Sequence, residues 1–575
     1  MFLRPSRRRG SAAAVSMVAV ALLAVGCSGS PGGSGTSSNP GASSNPGGGT
    51  DADTLIAYTG QSGDYQVNFN PFSPTQIGGP GTIFEPLFFF NQVQAVDPVP
   101  LLGTKYSWNT DGTVLTITTR ENVTWSDGKP FSAKDVAFTL DMIAKTPAIN
   151  TVGYAGSAKA PDDTHVVVTF PQPAYMDAPQ LLGKTFIVPE HIWTGIADPA
   201  TDTMSKPIGT GPYTLADFKG QAYTLTANPK YWGGEPAVKN VRFLALSGNQ
   251  SGADALAAGQ IDWQTGPVPD IANVEKNYPG YKAITVPQNQ AVFVTCSNVK
   301  LGCTGPQTDV NVRKAIYYAL DRKQVNSLAF QNTASDVSPT FALLHSQSNT
   351  ISSAITERTA PNSPDIAKSA ALLEGDGWAK GSDGYYAKDG KELSLSVEVV
   401  TGWTDYITAI DTMSQQLKAA GIKMVASQSS WNEWTDKKGK GQFQLAIDSL
   451  GQGPSNDPYF CYLNYFSTAN TAKVGTSVSL NIGRFSDADV DKALNALEQS
   501  NPSDAQTRNG QYEIIQKKIV ENMPYIPILT GGTTSEFHAA KFTGWPTLDN
   551  MYAFPAVWAS PDSSQIYKKL VPTGK

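Results

Sequence analysis

The sequence is poor in charge for its length of 575 residues, and its basic residues form no long stretch outside the N-terminus. Charged residues make up 16% of it and aromatics 10%, with a formal net charge of −6. Disordered chains combine high charge with few aromatics, so this composition excludes one. A protein whose main partner is nucleic acid needs a basic surface, so that class is excluded as well.

Signature motifs of hydrolytic enzymes are also missing. The sequence contains no G-x-S-x-G or H-E-x-x-H pattern, and its four histidines are scattered. A glycoside hydrolase would need two carboxylates about 5–10 Å apart across a cleft, for which Glu433 and Asp436 are the nearest candidates. That spacing is equally typical of a solvated helix face. We therefore expect a protein that is not an enzyme and that needs no cofactor.

After residue 26 the sequence has no run of about 18 apolar residues, the length that a membrane-spanning helix requires. The run Ser11–Gly26 is short and rich in Ala, and it follows the arginines of Arg4–Arg9. This pattern predicts a secretory signal peptide at residues 1–26. Leu23–Cys27 (L-A-V-G-C) resembles a bacterial lipobox, in which the cysteine, here Cys27, is acylated. Ordinary cleavage near Ala24, with Cys27 incidental, is the alternative.

Residues 27–53 are predicted to form the lipidated cysteine and a flexible leash. Ser28–Asp53 consists almost entirely of Ser, Gly, Pro, Asn and Thr, which cannot bury apolar surface. The acyl chain is then the contact with the membrane, and we expect the protein on the extracellular face of a bacterial cell membrane. Single cores stop growing at about 250–300 residues, so residues 54–575 require at least two lobes.

Cysteines are few, and three of the four lie in the body of the chain. Cys296 and Cys303 are close in sequence and could close a small disulfide loop in an oxidising compartment. A bond between Cys461 and either of them is the alternative, and the sequence does not choose. No C-x-x-C pair or neighbouring histidine completes a metal site, so we expect none.

From Leu55 onwards, strand patterns alternate with amphipathic helix patterns, which predicts an α/β fold. Ser132 is predicted to cap the helix that follows it. The further predicted helices are Ala253–Ala258, Asp309–Ser327, Asp365–Glu374, Asp405–Ala420 and a helical block at Asp487–Asn522. The predicted strands are Thr113–Thr119, His165–Phe170, Val241–Leu246, Ile261–Trp263, Leu393–Val400, Phe443–Asp448 and Tyr525–Leu529. Asp321 and Arg322 are expected to form a local ion pair at the end of the Asp309 helix.

Six segments of the chain carry a family pattern. In order they are L-L-G-T-K-Y-S-W-N-T-D-G-T-V-L-T-I from Leu101, T-W-S-D-G-K-P-F-S-A-K-D-V-A-F-T-L from Thr124, G-T-G-P-Y-T-L from Gly209, N-P-K-Y-W-G-G from Asn228, L-A-A-G-Q-I-D-W from Leu256 and V-N-V-R-K-A-I-Y-Y-A-L-D-R from Val310. Their glycines indicate architecture, such as a tight crossing at Gly209 and Gly211. Together the segments resemble the family-five extracellular solute-binding proteins, the oligopeptide-, dipeptide-, nickel- and oligosaccharide-binding components of ABC importers.

The resemblance implies a two-lobed periplasmic-binding-protein type II fold with a third subdomain inserted in lobe one. Lobe one would comprise residues 54–90, 206–290 and 531–575, the insert residues 91–205, and lobe two residues 291–530. It also implies that a solute binds between the lobes, which close over it by a hinge motion. Permease subunits with their ATPases would receive the solute, and we expect a monomer.

The solute class is predicted from segments of lobe two and the end of the chain. Peptide-binding members carry an Asp that pairs with the peptide's amino group, and the aligned position here is Pro454 or Ser455. Neither can neutralise an ammonium. Four segments resemble instead the oligosaccharide-binding branch, which includes cello-oligosaccharide binders: T-G-W-T-D-Y at Thr401, G-P-S-N-D-P-Y-F-C-Y-L-N-Y-F at Gly453, N-I-G-R-F-S-D at Asn481 and G-W-P-T-L-D-N-M-Y-A at Gly544.

We therefore predict an oligosaccharide ligand, with an oligopeptide ligand or a signalling-peptide receptor as alternatives. Aromatic rings cover the C–H face of a sugar, while amides and carboxylates bind its hydroxyl groups. The residues predicted to bind it are the aromatics Trp403, Tyr406, Trp431, Trp434, Tyr459 and Trp545 and the polar residues Asn456, Asp457 and Asn550. Trp403 and Trp545 are expected to come from opposite lobes and to hold a sugar ring between them. A core or hinge position is the alternative for each tryptophan.

Overall fold

The computed structural model describes residues 52–59, 64–73, 76–78, 81–150, 154–247, 249–266 and 268–574. The predicted signal peptide, Cys27 and nearly all of the leash lie outside these residues. In the described part of the chain, no helix combines the length and the apolar character that crossing a membrane requires.

Strands and helices alternate along the described residues, as predicted for an α/β fold. The strands are β1 (Thr54–Tyr58), β2 (Phe88–Phe89), β3 (Val99–Pro100), β4 (Gly103–Trp108), β5 (Val114–Thr119), β6 (Ser157–Lys159), β7 (His165–Thr169), β8 (Tyr213–Lys219), β9 (Ala222–Ala227), β10 (Asn240–Leu244), β11 (Trp263–Thr265), β12 (Tyr281–Thr295), β13 (Ala379–Lys380), β14 (Tyr386–Lys388), β15 (Lys391–Glu392), β16 (Ser394–Val400), β17 (Lys423–Ser429), β18 (Leu445–Leu450), β19 (Tyr525–His538), β20 (Phe542–Thr543) and β21 (Val571–Pro572). The α-helices are α1 (Ala133–Lys145), α2 (Ala178–Gly183), α3 (Glu190–Trp193), α4 (Asn249–Ala257), α5 (Val274–Asn277), α6 (Val310–Ala319), α7 (Arg322–Ala329), α8 (Ile366–Gly375), α9 (Thr404–Ala419), α10 (Trp431–Lys440), α11 (Pro458–Phe466), α12 (Ala488–Gln499), α13 (Ala505–Asn522) and α14 (Asp562–Lys569). Short 3₁₀ helices lie at Tyr175–Asp177, Ile271–Asn273, Val299–Leu301, Pro306–Thr308, Ser348–Thr350 and Thr468–Asn470.

One ten-stranded sheet runs through the described residues in the order β17-β16-β18-β12-β19-β11-β1-β10-β9-β8. Its longest strands, β12 and β19, are antiparallel neighbours that pair from Tyr281 with His538 to Val294 with Tyr525. The pairing shifts register after Pro287 and again after Ala291. Proline donates no hydrogen bond to a sheet, and such irregularities bend a strand. The two long strands therefore cross the molecule with an interrupted ladder at their middle.

The side chains of β12 enter different apolar cores at its two ends. Val286 belongs to a core formed by residues 55–286 and 537–570. Phe293 belongs to a core formed by residues 291–529. We call the part of the molecule built on the first core lobe one and the part built on the second core lobe two. Strands β12 and β19 connect them.

The segment from β4 to α3, which we call the insert, contains its own four-stranded sheet in the order β4-β5-β7-β6, which packs with α1 on the core of lobe one. Helix α1 begins as predicted, because Ser132 accepts a hydrogen bond from Lys134 N while Asp135 accepts one from Ser132 N. This capping box satisfies two otherwise unpaired donors. The insert also touches lobe two, since Met176 packs in a second apolar core there, formed by residues 292–525.

The predicted tight crossing at Gly209 and Gly211 is confirmed. A Cβ atom on Gly209 would lie 1.9 Å from the carbonyl oxygen of Ile83, and one on Gly211 would lie 2.1 Å from that of Thr82. Gly211 N also donates to Ile83 O at 2.9 Å. Only a residue without a side chain allows two backbones to come this close.

The predicted helix Asp309–Ser327 is wrong in one respect, because it is two helices, α6 and α7, that are separated at Asp321. Asp321 caps α7 by accepting a hydrogen bond from Gln324 N. Arg322 is buried and donates to the carbonyl oxygens of Tyr317, Pro361 and Pro527. The predicted ion pair between Asp321 and Arg322 is also wrong, because the buried guanidinium finds its acceptors on the backbone.

Cys296 and Cys303 form a disulfide whose Cα atoms are 5.5 Å apart. The bond closes a short loop directly after β12. Cys461 is buried with a free thiol, and burial raises the pKa of that thiol. Of the pairings left open by the sequence, the structure therefore contains the one between the two nearest cysteines.

Candidate functional site

A cavity of about 800 Å³ lies between the lobes. Pro71 and Gln76 line it from lobe one, residues 154–186 from the insert, and residues 453–470 with Glu498 from lobe two. Cavities that hold small ligands typically measure about 300–1,000 Å³. The space therefore suits a solute of several rings or residues that contacts both lobes.

Aromatic side chains form much of the cavity wall. Phe186 and Tyr154 come from the insert, and Tyr459 and Phe460 come from α11 of lobe two. Each of the four is less than a tenth exposed, so their positions are fixed by packing. Their rings offer flat apolar faces, which suit the C–H face of a ring-shaped solute.

Tyr459, which the sequence predicts as a binding residue, is held in the wall by the first turn of α11. Asp457 caps this helix by accepting a hydrogen bond from Tyr459 N at 2.9 Å. The same carboxylate binds Nη2 of Arg508 at 2.7 Å and the hydroxyl group of Tyr512 at 2.6 Å. The Arg508 side chain is 5% exposed. The oxygen atoms of Asp457, a predicted hydroxyl partner, are thus already engaged within the protein.

Two carboxylates that line the cavity itself, Asp177 and Glu498, have a different environment from that of Asp457. Asp177 ends the 3₁₀ helix Tyr175–Asp177 of the insert, and Glu498 lies in the last turn of α12, which packs against that 3₁₀ helix. Burial, followed by the negative charge of Glu498, raises the pKa of Asp177 to about 7. Burial also raises the pKa of Glu498. The site therefore disfavours the charged form of both groups.

Lys184 supplies a positive charge to the wall on the side of the insert. Its Nζ atom donates to Ser560 O at 2.9 Å and lies 3.8 Å from Oδ2 of Asp562. Burial lowers the pKa of Lys184, and the carboxylate of Asp562 opposes that shift. The positive charge of Lys184 is therefore balanced by a buried carboxylate of lobe one.

A smaller cavity of about 270 Å³ lies beside the crossing strands. Thr265 and Thr534 line it from β11 and β19, Phe330 and Asp405 line it from lobe two, and Trp558 lines it with a side chain that is 52% exposed. An exposed indole in a cavity wall is available to a ligand. The sequence places Trp558 beside polar groups of the final segment, as it does the predicted aromatic residues, and leaves a core or hinge position as the alternative.

Three of the predicted aromatic residues form one cluster in lobe two. Trp403 meets Tyr406 and Trp434 edge-on, with ring centroids 5.5 and 5.0 Å apart. The ring of Tyr406 meets that of Phe330 edge-on, with ring centroids 6.2 Å apart, and Phe330 lines the smaller cavity. Trp434 is buried, with 1% of its surface exposed. Trp431 begins α10, but its side chain is outside the described part of the structure.

Trp545 belongs to a different aromatic cluster, in lobe one. Its ring stacks on Phe537 with centroids 4.6 Å apart and meets Trp263 edge-on at 5.4 Å. Its Nε1 donates to Phe542 O at 3.0 Å. The structure thus places Trp403 and Trp545 in separate clusters.

The two predicted asparagines lie outside these clusters. Asn456 accepts a hydrogen bond from Ser346 Oγ at 2.9 Å, which ties it to another loop of lobe two. Asn550 is exposed in a turn, where its backbone N donates to Thr547 Oγ1 at 3.1 Å. Neither asparagine is among the residues that line the two cavities described above.

The two lobes on one sheet, the crossing strands and the insert define a periplasmic-binding-protein fold of type II. Residues 97–472 match the middle region of the bacterial extracellular solute-binding proteins, family 5. The match covers more than half of the chain, so this protein belongs to that family, whose members are substrate-binding components of ABC transporters. The predicted family and fold class are confirmed.

Curated relatives are similar to most of the chain. Protein XP55 of Streptomyces lividans is 28% identical over 430 residues, which cover 72% of this chain and 72% of the relative. The oligopeptide-binding protein OppA of Lactococcus lactis subsp. cremoris (strain SK11) is 26% identical over 459 residues, which cover 72% of this chain and 73% of OppA.

Solved structures share the fold. A periplasmic oligopeptide-binding protein of an ABC transporter from Thermotoga maritima has a TM-score of 0.82 at 22% identity and covers 91% of this chain and 100% of its own. A structure from Thermotoga maritima with mannohexaose bound has a TM-score of 0.78, also at 22% identity. NikZ from Campylobacter jejuni, in complex with Ni(L-His), has a TM-score of 0.70 at 21% identity.

Proposed function

We propose that this protein is a lipid-anchored component of an ABC importer that captures an oligosaccharide-sized solute between its lobes and delivers it to the permease. The observation that carries the proposal is the cavity of about 800 Å³, whose wall comes from lobe one, the insert and lobe two. A site divided in this way is complete only when the lobes are closed. The solute therefore favours the closed form, which a permease can distinguish from the open one.

The chemistry of the cavity supports a sugar. Phe186 and Phe460 offer flat apolar faces, and Gln180 and Asn464 offer amide groups for hydroxyl groups. Pro454, a residue aligned with the Asp of the peptide-binding members, lines the cavity and cannot pair with an ammonium. The Thermotoga maritima structure with mannohexaose bound adds support, because its fold accommodates an oligosaccharide.

An oligopeptide is the second candidate for the solute. The observation in its favour is the similarity to OppA of Lactococcus lactis, which is named as an oligopeptide-binding protein. A receptor for signalling peptides on the same fold would bind the same class of molecule without importing it.

The binding residues predicted from the sequence enter this proposal at different places. Tyr459 lines the cavity of about 800 Å³. The cluster of Trp403, Tyr406 and Trp434 borders the smaller cavity through Phe330. Trp431, Asn456, Asp457, Trp545 and Asn550 stay predictions whose roles require binding measurements.

We also propose that the moving bodies have the boundaries predicted from the sequence. Residues 54–90, 206–290 and 531–575 would form lobe one, residues 291–530 lobe two, and residues 91–205 would move with lobe one. The change of core within β12, between Val286 and Ala291, supports this hinge position. Small-angle scattering of the monomer should show a smaller radius of gyration with solute than without it.

The anchor is proposed to be Cys27, which would hold the protein on the extracellular face of the membrane. Changing Cys27→Ser should release the protein from the membrane fraction into the medium, because the protein that remains after removal of the signal peptide then has no acylated cysteine. Retention of the variant in the membrane fraction would show that residues 11–26 act as an uncleaved span.

A thermal-shift panel of oligosaccharides and oligopeptides tests the solute class on the purified protein. A ligand at about 100 times its dissociation constant adds about 2.7 kcal/mol to the free energy of unfolding, which raises the melting temperature measurably. We expect shifts from oligosaccharides. Shifts from peptides alone would replace the sugar by the second candidate, and turnover of a bound solute would contradict a binding protein altogether.

A further inference from the structure

Asp177 and Glu498 line the same cavity but belong to different bodies of the protein. Asp177 belongs to the insert and Glu498 to α12 of lobe two, and both line the cavity of about 800 Å³. Met176, beside Asp177, packs in the apolar core of lobe two. The two carboxylates are therefore brought together where the insert closes on lobe two.

Neither carboxylate has a cation of its own. Among the described residues, no basic side chain forms an ion pair with Asp177 or Glu498. The cations nearby are engaged elsewhere, since Lys184 is 3.8 Å from Asp562 and Arg508 is 2.7 Å from Asp457. Two carboxylates in one partly buried site repel each other unless a positive charge joins them.

Two phenol groups of the same wall add acceptors for hydrogen bonds. Tyr154 is 4% exposed, and its hydroxyl group has no hydrogen-bond partner among the described residues. Burial, then Asp141 and Asp177, raise the pKa of Tyr154, whereas burial, then Glu498 and Asp177, raise that of Tyr459. Both hydroxyl groups thus lie within electrostatic reach of Asp177. A buried hydroxyl group without a partner is unfavourable until a ligand supplies one.

We propose that the solute carries a protonated amine and that this amine binds between Asp177 and Glu498, with the hydroxyl groups of Tyr154 and Tyr459 beside it. An ammonium group has three N–H donors and no acceptor, which matches a site made of acceptors. The inference rests on the proposed function and narrows its substrate class to amino-sugar oligomers. A peptide has the same ammonium chemistry at its N-terminus, so the test includes both sources.

The amine would also link recognition to closure. In the empty protein, closing brings two carboxylates from different bodies toward each other, which opposes the closed form wherever both are ionised. A bound ammonium reverses the sign of that interaction, because it attracts both carboxylates. A neutral solute of the same shape would gain the apolar contacts of the cavity without this electrostatic contribution.

The experiment compares matched pairs of solutes by calorimetric titration of the whole protein at about pH 7, where amines are largely protonated and Asp177, whose pKa is raised to about 7, is no longer mainly neutral. One pair is a glucosamine tetramer and its N-acetylated form. The other pair is tetra-alanine with a free N-terminus and N-acetyl tetra-alanine. We expect the glucosamine tetramer to bind at least tenfold more tightly than its acetylated form. We expect Asp177→Asn and Glu498→Gln to bring the ratio of the two affinities down to about one.

Asp163→Asn is the matched control, because it removes the same charge from the insert at an exposed pair with Lys134. This variant should keep the full preference for the amine. Thermal melting of all variants verifies that they are folded.

Each outcome of the titration decides between the claims. Equal affinity for both tetramers, or a preference that survives in both cavity variants, would overturn the amine site and leave oligosaccharide binding intact. A preference for free over acetylated tetra-alanine, without sugar binding, would support the amine site and overturn the sugar. Binding of none of the four would overturn both.

Discussion

Asp177 lines the cavity of about 800 Å³ and Asp457 lies two residues before Tyr459 of its wall, but the two carboxylates have opposite surroundings. Asp457 is bound by Arg508, Tyr512 and a helix N-terminus, so its charge is balanced inside the protein. Asp177 faces Glu498, which has the same charge. A polar group whose partners are all present belongs to the framework of a site, whereas one whose partner is missing is where a ligand can act. The first should stabilise the empty protein and the second should destabilise it.

The largest expected effect comes from removing Arg508, the buried partner of Asp457. Arg508→Ala leaves Asp457 and Tyr512 without their buried partner, and breaking a buried ion pair costs about 3–5 kcal/mol of unfolding free energy. Chemical denaturation measures it. Lys517→Ala is the matched control, because the exposed pair of Lys517 with Glu513 should contribute less than about 1 kcal/mol. A loss as small as that of the control would remove the distinction between the two regions.

Glu536 extends the comparison to a carboxylate that is buried away from both cavities. It is 0% exposed on β19, opposite Gln264 of β11, and burial raises its pKa from 4.5 to about 8. The folded protein keeps a proton that the unfolded chain releases, so stability falls as the pH rises from 4.5 to about 8 and is then constant. The slope is about 1.4 kcal/mol per pH unit.

Glu536→Gln should remove this slope and stabilise the protein by about 3 kcal/mol near neutral pH, with little effect near pH 4. Denaturation curves at several pH values measure the difference. Ser535→Ala would be a poor control because Ser535 contacts Pro555, so the wild-type curve at each pH is the reference. A gain that is independent of pH would show that Glu536 does not hold the proton.

The aromatic clusters give the next test, since Trp403 lies in lobe two and Trp545 in lobe one. The sequence assigns both to the ligand, and truncation of a binding tryptophan to Ala should lower affinity about thirtyfold, or about 2 kcal/mol. Calorimetric titration with the solute found in the panel measures it. Since Trp545 stacks on Phe537 and Trp263, a loss of about 3–5 kcal/mol in stability with affinity intact would assign Trp545 to packing.

The sequence predicted those parts of the fold whose cause is local. Ser132 and Asp135 form a capping box within four residues, and the two glycines of G-T-G mark a backbone contact by their lack of side chains. The six family segments were also recognisable because each is a continuous stretch of sequence. Strand β12 was missed because Pro287, Gln288 and Asn289 interrupt its apolar alternation, and its partner β19 supplies the order that its own sequence lacks.

The site was less predictable because its groups come from distant parts of the chain. Asp457 was identifiable as polar and close to aromatics, but Arg508, which occupies it, is 51 positions away. Asp177 and Glu498 meet only through the packing of α12 on the insert, and no local pattern connects them. Trp558 lines the smaller cavity with a side chain that is 52% exposed, whereas its sequence context leaves a core or hinge position open as well.

The smallest expected effect is of opposite sign to that of Arg508→Ala and therefore tests the comparison most directly. Asp177→Asn removes one of two like charges, so the empty protein should gain stability. Asp177 is partly exposed, and solvent screens its charge, which limits the gain to about 1 kcal/mol. Since the pKa of Asp177 is raised from 3.8 to about 7, the gain should be absent below pH 3.8, grow up to about pH 7 and then remain constant.

The groups that face Asp177 make this pH window interpretable. Burial and Glu498 from α12 oppose its ionisation, while Lys184 is turned toward Asp562. Denaturation of Asp177→Asn and of the control Asp163→Asn at several pH values measures the window. A stability loss in Asp177→Asn would mean that its carboxylate already has a partner in the empty protein, as Asp457 does. Asp177 would then belong to the framework, and the amine would have no unbalanced charge to neutralise.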